Sequence, residues 1–413
     1  MLNVTNLLCG TRTGNETLRY GHTRRSGGCA QDIPRPVVAW AITRACNLRC
    51  VHCYAAADAT PAKGELTFTE GLQLLEDLRA FKVPAVLFTG GEPLARPDAL
   101  DLMEHAVEIG LNTTLSTNGT LIDEPTADRL AEIGLRYAGI SLDGTEPLHD
   151  RLRAKKGAFA ASMRAIRLCR ERGIRVGVRF TVHQLNYMDL DAIFDLCLEN
   201  GVQRLCVYHL VYSGRGGKLR KIDLNHAQTR QVVDRIFQRT QAAHEAGHEL
   251  EVLTVGNHSD APYLLMCLER TDKQRYQQVK RLLAGTGGNR SGCNIASIDP
   301  VGNVHYDQFS WHYSCGNVRE QPFSKIWGEP RDPRLRILRQ RRPHLPRRCQ
   351  VCRFLGLCNG NNRTRAEAAT GDWLGPDPAC YIRDEDLGLI VPAECVMPNL
   401  HELRHTGIPQ EAL

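Results

Sequence analysis

Seven cysteines fall into two groups of different arithmetic. In "CNLRCVHCY" the residues Cys46, Cys50 and Cys53 follow the spacing C-x3-C-x2-C, and no fourth cysteine completes the set. Three thiolates on so short a loop suit a 4Fe-4S cluster with one iron left without a protein ligand, whereas a structural zinc site needs a fourth donor. An open iron can take a substrate or a cofactor. Further along, Cys349, Cys352, Cys358 and Cys380 follow C-x2-C-x5-C-x21-C, and four thiolates can close either a zinc site or a second iron-sulfur cluster. Cys293 and Cys315 belong to neither group and read as small buried apolar residues.

The first group must be held by something rigid, and the sequence before and after it supplies that. From about residue 36 to 250, short apolar runs alternate with helical patterns, the mark of repeated βα units and a parallel sheet. Six strands are expected at 37–43, 85–90, 111–117, 137–143, 175–182 and 204–211, each apolar enough to be covered on both faces. Helices lie between them: Thr67 and Glu70 form a capping box, Pro97 opens a helix that Gly110 ends, and the stretch 225–247 makes the sixth. The spacing predicts an α/β fold built as a partial (β/α)6 barrel, with the three-cysteine loop at the C-terminal rim where barrel active sites form. "GTGGNRSG" after residue 284 marks a boundary. The expected division is an N-terminal arm (1–34), the barrel (35–284), a cysteine-rich domain (285–395) and a C-terminal tail (396–413).

Composition narrows the setting. The 413 residues are 42% hydrophobic and 24% charged, ordinary for a globular chain, and no run of 18 apolar residues marks a membrane span. The N-terminus lacks the basic and apolar regions of a signal peptide, so a cytoplasmic location is expected, where sixteen cysteines point to metal or catalysis rather than disulfides. A net charge of +6 with no basic run interleaved with aromatics gives no footprint for nucleic acid.

The three-cysteine motif after a first strand, with "GGEP" at 90–93 after the second, resembles the radical S-adenosylmethionine enzymes over nearly the whole chain. The resemblance implies that S-adenosylmethionine chelates the open iron and that its reductive cleavage gives a 5′-deoxyadenosyl radical, with electrons from a low-potential donor such as ferredoxin or flavodoxin. It assigns Gly90, Gly91 and Glu92 to the methionyl amino group. Ser116 and Asn118 of "STNG", with Ser141 and Asp143 of "SLDG", are assigned to the cofactor's ribose and carboxylate, and Arg153 pairs with that carboxylate. The four-cysteine region resembles a SPASM-type extension, which turns the zinc-or-cluster choice toward a second 4Fe-4S cluster. The departures are Asn362, where a further cysteine is expected, and "VHYD" in place of a "VYPC"-like turn, so one auxiliary cluster is expected rather than two.

Several segments, among them "LLCGTRTGNETLRYG" and "LTVGNHSDAPYL", are similar to radical enzymes that remodel didecarboxysiroheme. One branch removes two acetate side chains to give Fe-coproporphyrin III; another, in d1-type heme synthesis, acts on the propionates. The resemblance leans to the first. A peptide-modifying enzyme is the next alternative, and a zinc-bearing scaffold without radical chemistry the last. A polycarboxylate macrocycle requires cations and apolar surface at the barrel mouth. "VYHLVYSGRGGK" offers Tyr208, His209, Tyr212, Arg215 and Lys218 for that purpose, and His305 and His312 are candidate ligands for a substrate iron.

Overall fold

The computed structural model describes residues 1–11 and 34–387. Most of the N-terminal arm, including the greater part of "LLCGTRTGNETLRYG", and the whole tail 396–413 lie outside the described residues. Ten strands make one sheet: β1 (Leu2–Asn3), β2 (Val37–Thr43), β3 (Val86–Gly90), β4 (Thr113–Thr117), β5 (Tyr137–Ser141), β6 (Arg175–Val182), β7 (Arg204–His209), β8 (Glu251–Val255), β9 (Ile295–Ile298) and β10 (Val304–His305). Their spatial order is β1-β8-β7-β6-β5-β4-β3-β2-β9-β10. From β2 to β8 every neighbouring pair is parallel, with helices in the connections, so the row is an open, partial barrel.

The six expected strands are present, and the helix between β7 and β8 runs from His226 to Glu245. The seventh parallel strand, β8, is an addition. It begins on a glutamate, which disguises it in sequence; Glu251 is fully buried and takes Arg204 Nε at 2.5 Å, Arg175 Nη2 at 3.3 Å and Asn3 Nδ2 at 3.0 Å. The first residues of the arm are therefore part of the sheet: β1 pairs antiparallel with β8, and Thr5 bridges Leu250 O and Val252 N.

Beyond the glycine-rich join the sheet continues, because β9 lies parallel to β2 along Val37–Trp40. Trp40, Phe88, Phe180 and Phe194 are fully buried in the core. Thr67 and Glu70 make the reciprocal capping box that starts the helix Phe68–Ala80. Among the described residues no helix is long and apolar enough to cross a membrane.

Candidate active site

The loop after β2 is gripped from several strands at once. Glu92 N donates to Ala45 O and Gly91 N to Thr43 O, each at 2.8 Å, so the turn after β3 lies against the backbone leading into Cys46. A Cβ at Gly90 would stand 2.3 Å from Thr43 O, and one at Gly91 2.3 Å from Ala45 O. The close approach that these glycines permit is to the neighbouring chain itself. Arg215 reaches across from the segment after β7, its Nε donating to Cys50 O at 2.8 Å and its Nη1 to Ala57 O at 2.6 Å.

One cavity opens over this loop. Cys46, Cys50 and Cys53 line it together with Gly90, Gly91, Ser116, Asn118, Ser141, Arg153, Tyr208, His209 and Arg215. Burial pushes the Cys46 thiol up to about 12, and the neighbouring Cys50 and Cys53 add to the effect. A bound cation must replace those protons, as coordination to iron does. Donors already face the sulfurs: Leu48 N at 3.4 Å and Asn118 Nδ2 at 3.9 Å from Cys46 Sγ, and Arg153 Nη1 at 3.5 Å from Cys50 Sγ.

Glu92 and Asp143 stand behind this wall rather than in it. Glu92 is fully buried and accepts from Thr117 Oγ1 at 2.7 Å, Asn118 N at 2.8 Å and Leu94 N at 3.2 Å, fastening the β3 turn to the β4 turn; burial pushes its carboxyl up to about 7. Asp143, also fully buried, accepts from Thr181 N at 3.1 Å, binds Arg153 Nη2 and meets His52 Nε2 at 3.0 Å. Against the opposing effect of burial, Arg153 and His52 hold its carboxyl well below the usual range. His52 is the imidazole inside the cysteine motif, and its commitment to Asp143 turns it away from a ligand role. Arg153 lines the cavity and keeps a buried Nε without a hydrogen-bond partner.

The residues expected to meet substrate separate. Tyr208 and His209 line the cavity, whereas Arg215 lines it while clamping the cysteine loop. Tyr212 is buried and donates to Asp223 Oδ2 at 2.7 Å, and Lys218 is exposed on the turn Gly214–Ile222, outside the cavity wall. His305 is buried, its Nδ1 2.8 Å from Tyr313 O and its Nε2 3.4 Å from Asp299 Oδ2; His312 lies 2.8 Å from Glu367. Neither lines the cavity. Residues unnamed by the sequence reading complete the wall: Gln308 and Phe309 after β10, Thr181, and Arg179 in the middle of β6. A charged residue inside an apolar strand was the available signal for Arg179.

In the C-terminal region the short helices Arg347–Gln350 and Leu355–Cys358 carry Cys349 and Cys358, with Cys352 on the turn between them. Cys358, pushed up to about 12 by burial, is raised further by Cys380, Cys349 and Cys352, so the four share one locus. Arg348 Nη1 donates to Cys380 Sγ at 3.7 Å. The two departures from a longer cysteine set have other work: Asn362 caps the helix Arg363–Thr370 by accepting from Arg365 N at 2.8 Å, and buried Asp307 accepts from Ser291 Oγ at 2.7 Å. Cys293 is buried, and Cys315 packs against the core.

Two buried connections tie this region to the barrel. Arg365 pairs with Asp377 at 2.7 Å and donates to Leu210 O and Gly256 O, beyond the ends of β7 and β8. His209 Nε2 lies 3.0 Å from Asp260 Oδ2, and Asp260 Oδ1 accepts from Tyr381, the residue after Cys380, at 2.7 Å.

Comparison with known proteins matches residues 40–197 to the Radical SAM superfamily and 290–353 to an iron-sulfur cluster-binding domain, SPASM. The chain is 46% identical over 401 residues to Fe-coproporphyrin III synthase of Methanosarcina barkeri, covering 94% of this chain and 99% of that one. It is 41% identical over 361 residues to pre-heme d1 synthase of Dinoroseobacter shibae, covering 87% and 89%. Among solved structures, SuiB of Streptococcus suis bound to S-adenosylmethionine has a TM-score of 0.66 at 19% identity, over 84% of this chain and 77% of that one, a likeness of fold alone. Barrel, open three-thiol loop and closed four-thiol site together define a radical S-adenosylmethionine enzyme with a SPASM domain. The chain belongs to the family that contains Fe-coproporphyrin III synthase and pre-heme d1 synthase, and its cofactors are S-adenosylmethionine and 4Fe-4S clusters.

The residues present fit those groups. Three thiols line a cavity that Arg153 also lines, a guanidinium suited to a carboxylate, and four more thiols influence one another in the C-terminal region.

Proposed function

We propose that the enzyme removes the two acetate side chains of didecarboxysiroheme to give Fe-coproporphyrin III. The observation that carries this reading is the end-to-end match at 46% identity, over 94% of this chain and 99% of the relative, with Fe-coproporphyrin III synthase. When bound, the first cluster and S-adenosylmethionine supply a 5′-deoxyadenosyl radical that abstracts hydrogen from substrate. The chain's own residues do the rest. Cys46, Cys50 and Cys53 hold the first cluster, and Cys349, Cys352, Cys358 and Cys380 the second. Arg153, Ser116, Asn118 and Ser141 orient the cofactor within the cavity wall, with Asp143 and Glu92 fixing Arg153 and Asn118 from behind. Tyr208 and His209 form the substrate side.

In this reading the barrel of residues 35–284 houses the radical chemistry and residues 285–395 the auxiliary cluster. The enzyme works in the cytoplasm with a ferredoxin- or flavodoxin-like electron donor. A second reading, action on the propionates of the same substrate, is favoured by the 41% identity to pre-heme d1 synthase. Mass analysis of the product after anaerobic turnover decides between them. Loss of two acetates is expected; altered propionates with both acetates retained would move the assignment to the second reading, and no mass change would remove both.

A further inference from the structure

Three guanidinium groups line one cavity: Arg153 has a counter-ion, Arg215 is committed to the carbonyls of Cys50 and Ala57, and Arg179 has neither. Arg153 meets Asp143. Arg179, on β6 opposite Ser141 of β5, has no carboxylate within ion-pair distance among the described residues. Its Nη1 donates to Ser116 Oγ, and its Nε is shielded from solvent with no hydrogen-bond partner. The titratable groups around it are Tyr208, Tyr137, Tyr54 and Cys206, none of them a carboxylate, and burial pushes the three phenols further toward their neutral form.

The fold makes room for this arrangement at some cost. A Cβ at Gly139 would stand 2.3 Å from Arg179 Nε, so a side chain at that point of β5 would displace the guanidinium from this position. Arg179 is partly buried on the cavity wall, with its Nε shielded, and a cation held there without a counter-ion is unfavourable until an anion entering the cavity answers it. The missing partner is an anion, and a planar, two-donor group matches a carboxylate. The methionyl carboxylate is one source. Arg153 already stands beside Cys50 Sγ, where a cofactor chelating the open iron must place its polar end, whereas Arg179 contacts none of the cluster thiols.

We propose that Arg179 is a substrate-binding residue, receiving a carboxylate-bearing side chain of the tetrapyrrole in the barrel lumen. This rests on the function proposed above and adds to it the group that the lumen recognises. The test is a set of binding titrations on the anaerobic, cluster-loaded enzyme, with didecarboxysiroheme, with its carboxylate methyl esters, and separately with S-adenosylmethionine. The wild-type enzyme is expected to prefer the free acid over the ester, and Arg179→Gln to lose about tenfold or more of that preference, the worth of a hydrogen bond to a charged group. Arg179→Lys, which restores charge without the two-donor face, is expected to recover part of it.

Three results would overturn the inference. An unaltered acid-to-ester ratio in Arg179→Gln sinks it while leaving the proposed function intact. Weakened binding of S-adenosylmethionine with tetrapyrrole binding kept would assign the carboxylate to the cofactor. A melting temperature several degrees below wild type for both Arg179→Gln and Arg179→Met would make the residue structural, since removing a partly buried cation without a counter-ion is expected to hold or raise stability. If the wild-type enzyme itself binds no tetrapyrrole, the proposed function fails first and this inference with it.

Discussion

The two cysteine sites are held in opposite ways. The three-thiol loop is positioned by side chains from elsewhere in the barrel: Arg215 on the carbonyl of Cys50, Arg153 and Asn118 on the sulfurs, and the β3 turn against its leading strand. The four-thiol site is built from its own short helical turns, with Arg348 beside Cys349 donating to Cys380. A loop gripped from its flanks keeps one face free for a ligand. Four thiols, by contrast, supply a protein ligand to every corner of a four-iron cluster.

That contrast can be broken most completely at the first site. Cys50→Ser is expected to abolish S-adenosylmethionine cleavage and to lower iron from about eight to about four per chain, the second cluster remaining. Cys380→Ser should give the same iron count with cleavage retained, so iron quantitation and 5′-deoxyadenosine yield together tell the sites apart. Next in size, Arg365→Ala leaves Asp377 as an uncompensated buried charge and is expected to cost about 3–5 kcal/mol in unfolding measurements. Smaller again, Arg153→Gln is expected to weaken S-adenosylmethionine binding by about 10- to 100-fold in a direct titration.

The smallest expected effect is on pH dependence. Burial holds His149 and His183 at about 4, below their ordinary value of 6.5, with Arg153 adding to the effect on His149 and His52 on His183. Each accepts a backbone N–H through Nδ1, from Asp143 and Leu185 respectively. The folded state therefore excludes protons that the unfolded chain takes up, so stability is full above about pH 6.5 and declines as pH falls toward about 4. Urea midpoints at pH 5 and pH 7 should differ less in His183→Gln than in the wild type.

Much of this was legible in the sequence because it depends on local spacing. The six strands, the capping box at Thr67, the C-x3-C-x2-C loop and the turns bearing Ser116, Asn118 and Ser141 are each encoded within a few residues. What escaped depends on pairings over long range. β8 was hidden by Glu251, whose charge is answered by Arg204, Arg175 and Asn3. The roles of Glu92 and Asp143 behind the wall, and of Arg215 as a clamp, follow from contacts that no spacing records. Tyr212 and Lys218 carry chemistry suited to the mouth, but the turn after β7 sends one to Asp223 and the other to the surface.

The line His209–Asp260–Tyr381 runs without a break from the cavity wall to the residue beside Cys380. Any displacement of Cys380 therefore has an unbroken polar route to the chamber wall. Partly loaded preparations are mixtures of two species, and a rate averaged over them belongs to neither. Separating the populations by cluster content before any kinetic comparison is the practical meaning of three buried side chains.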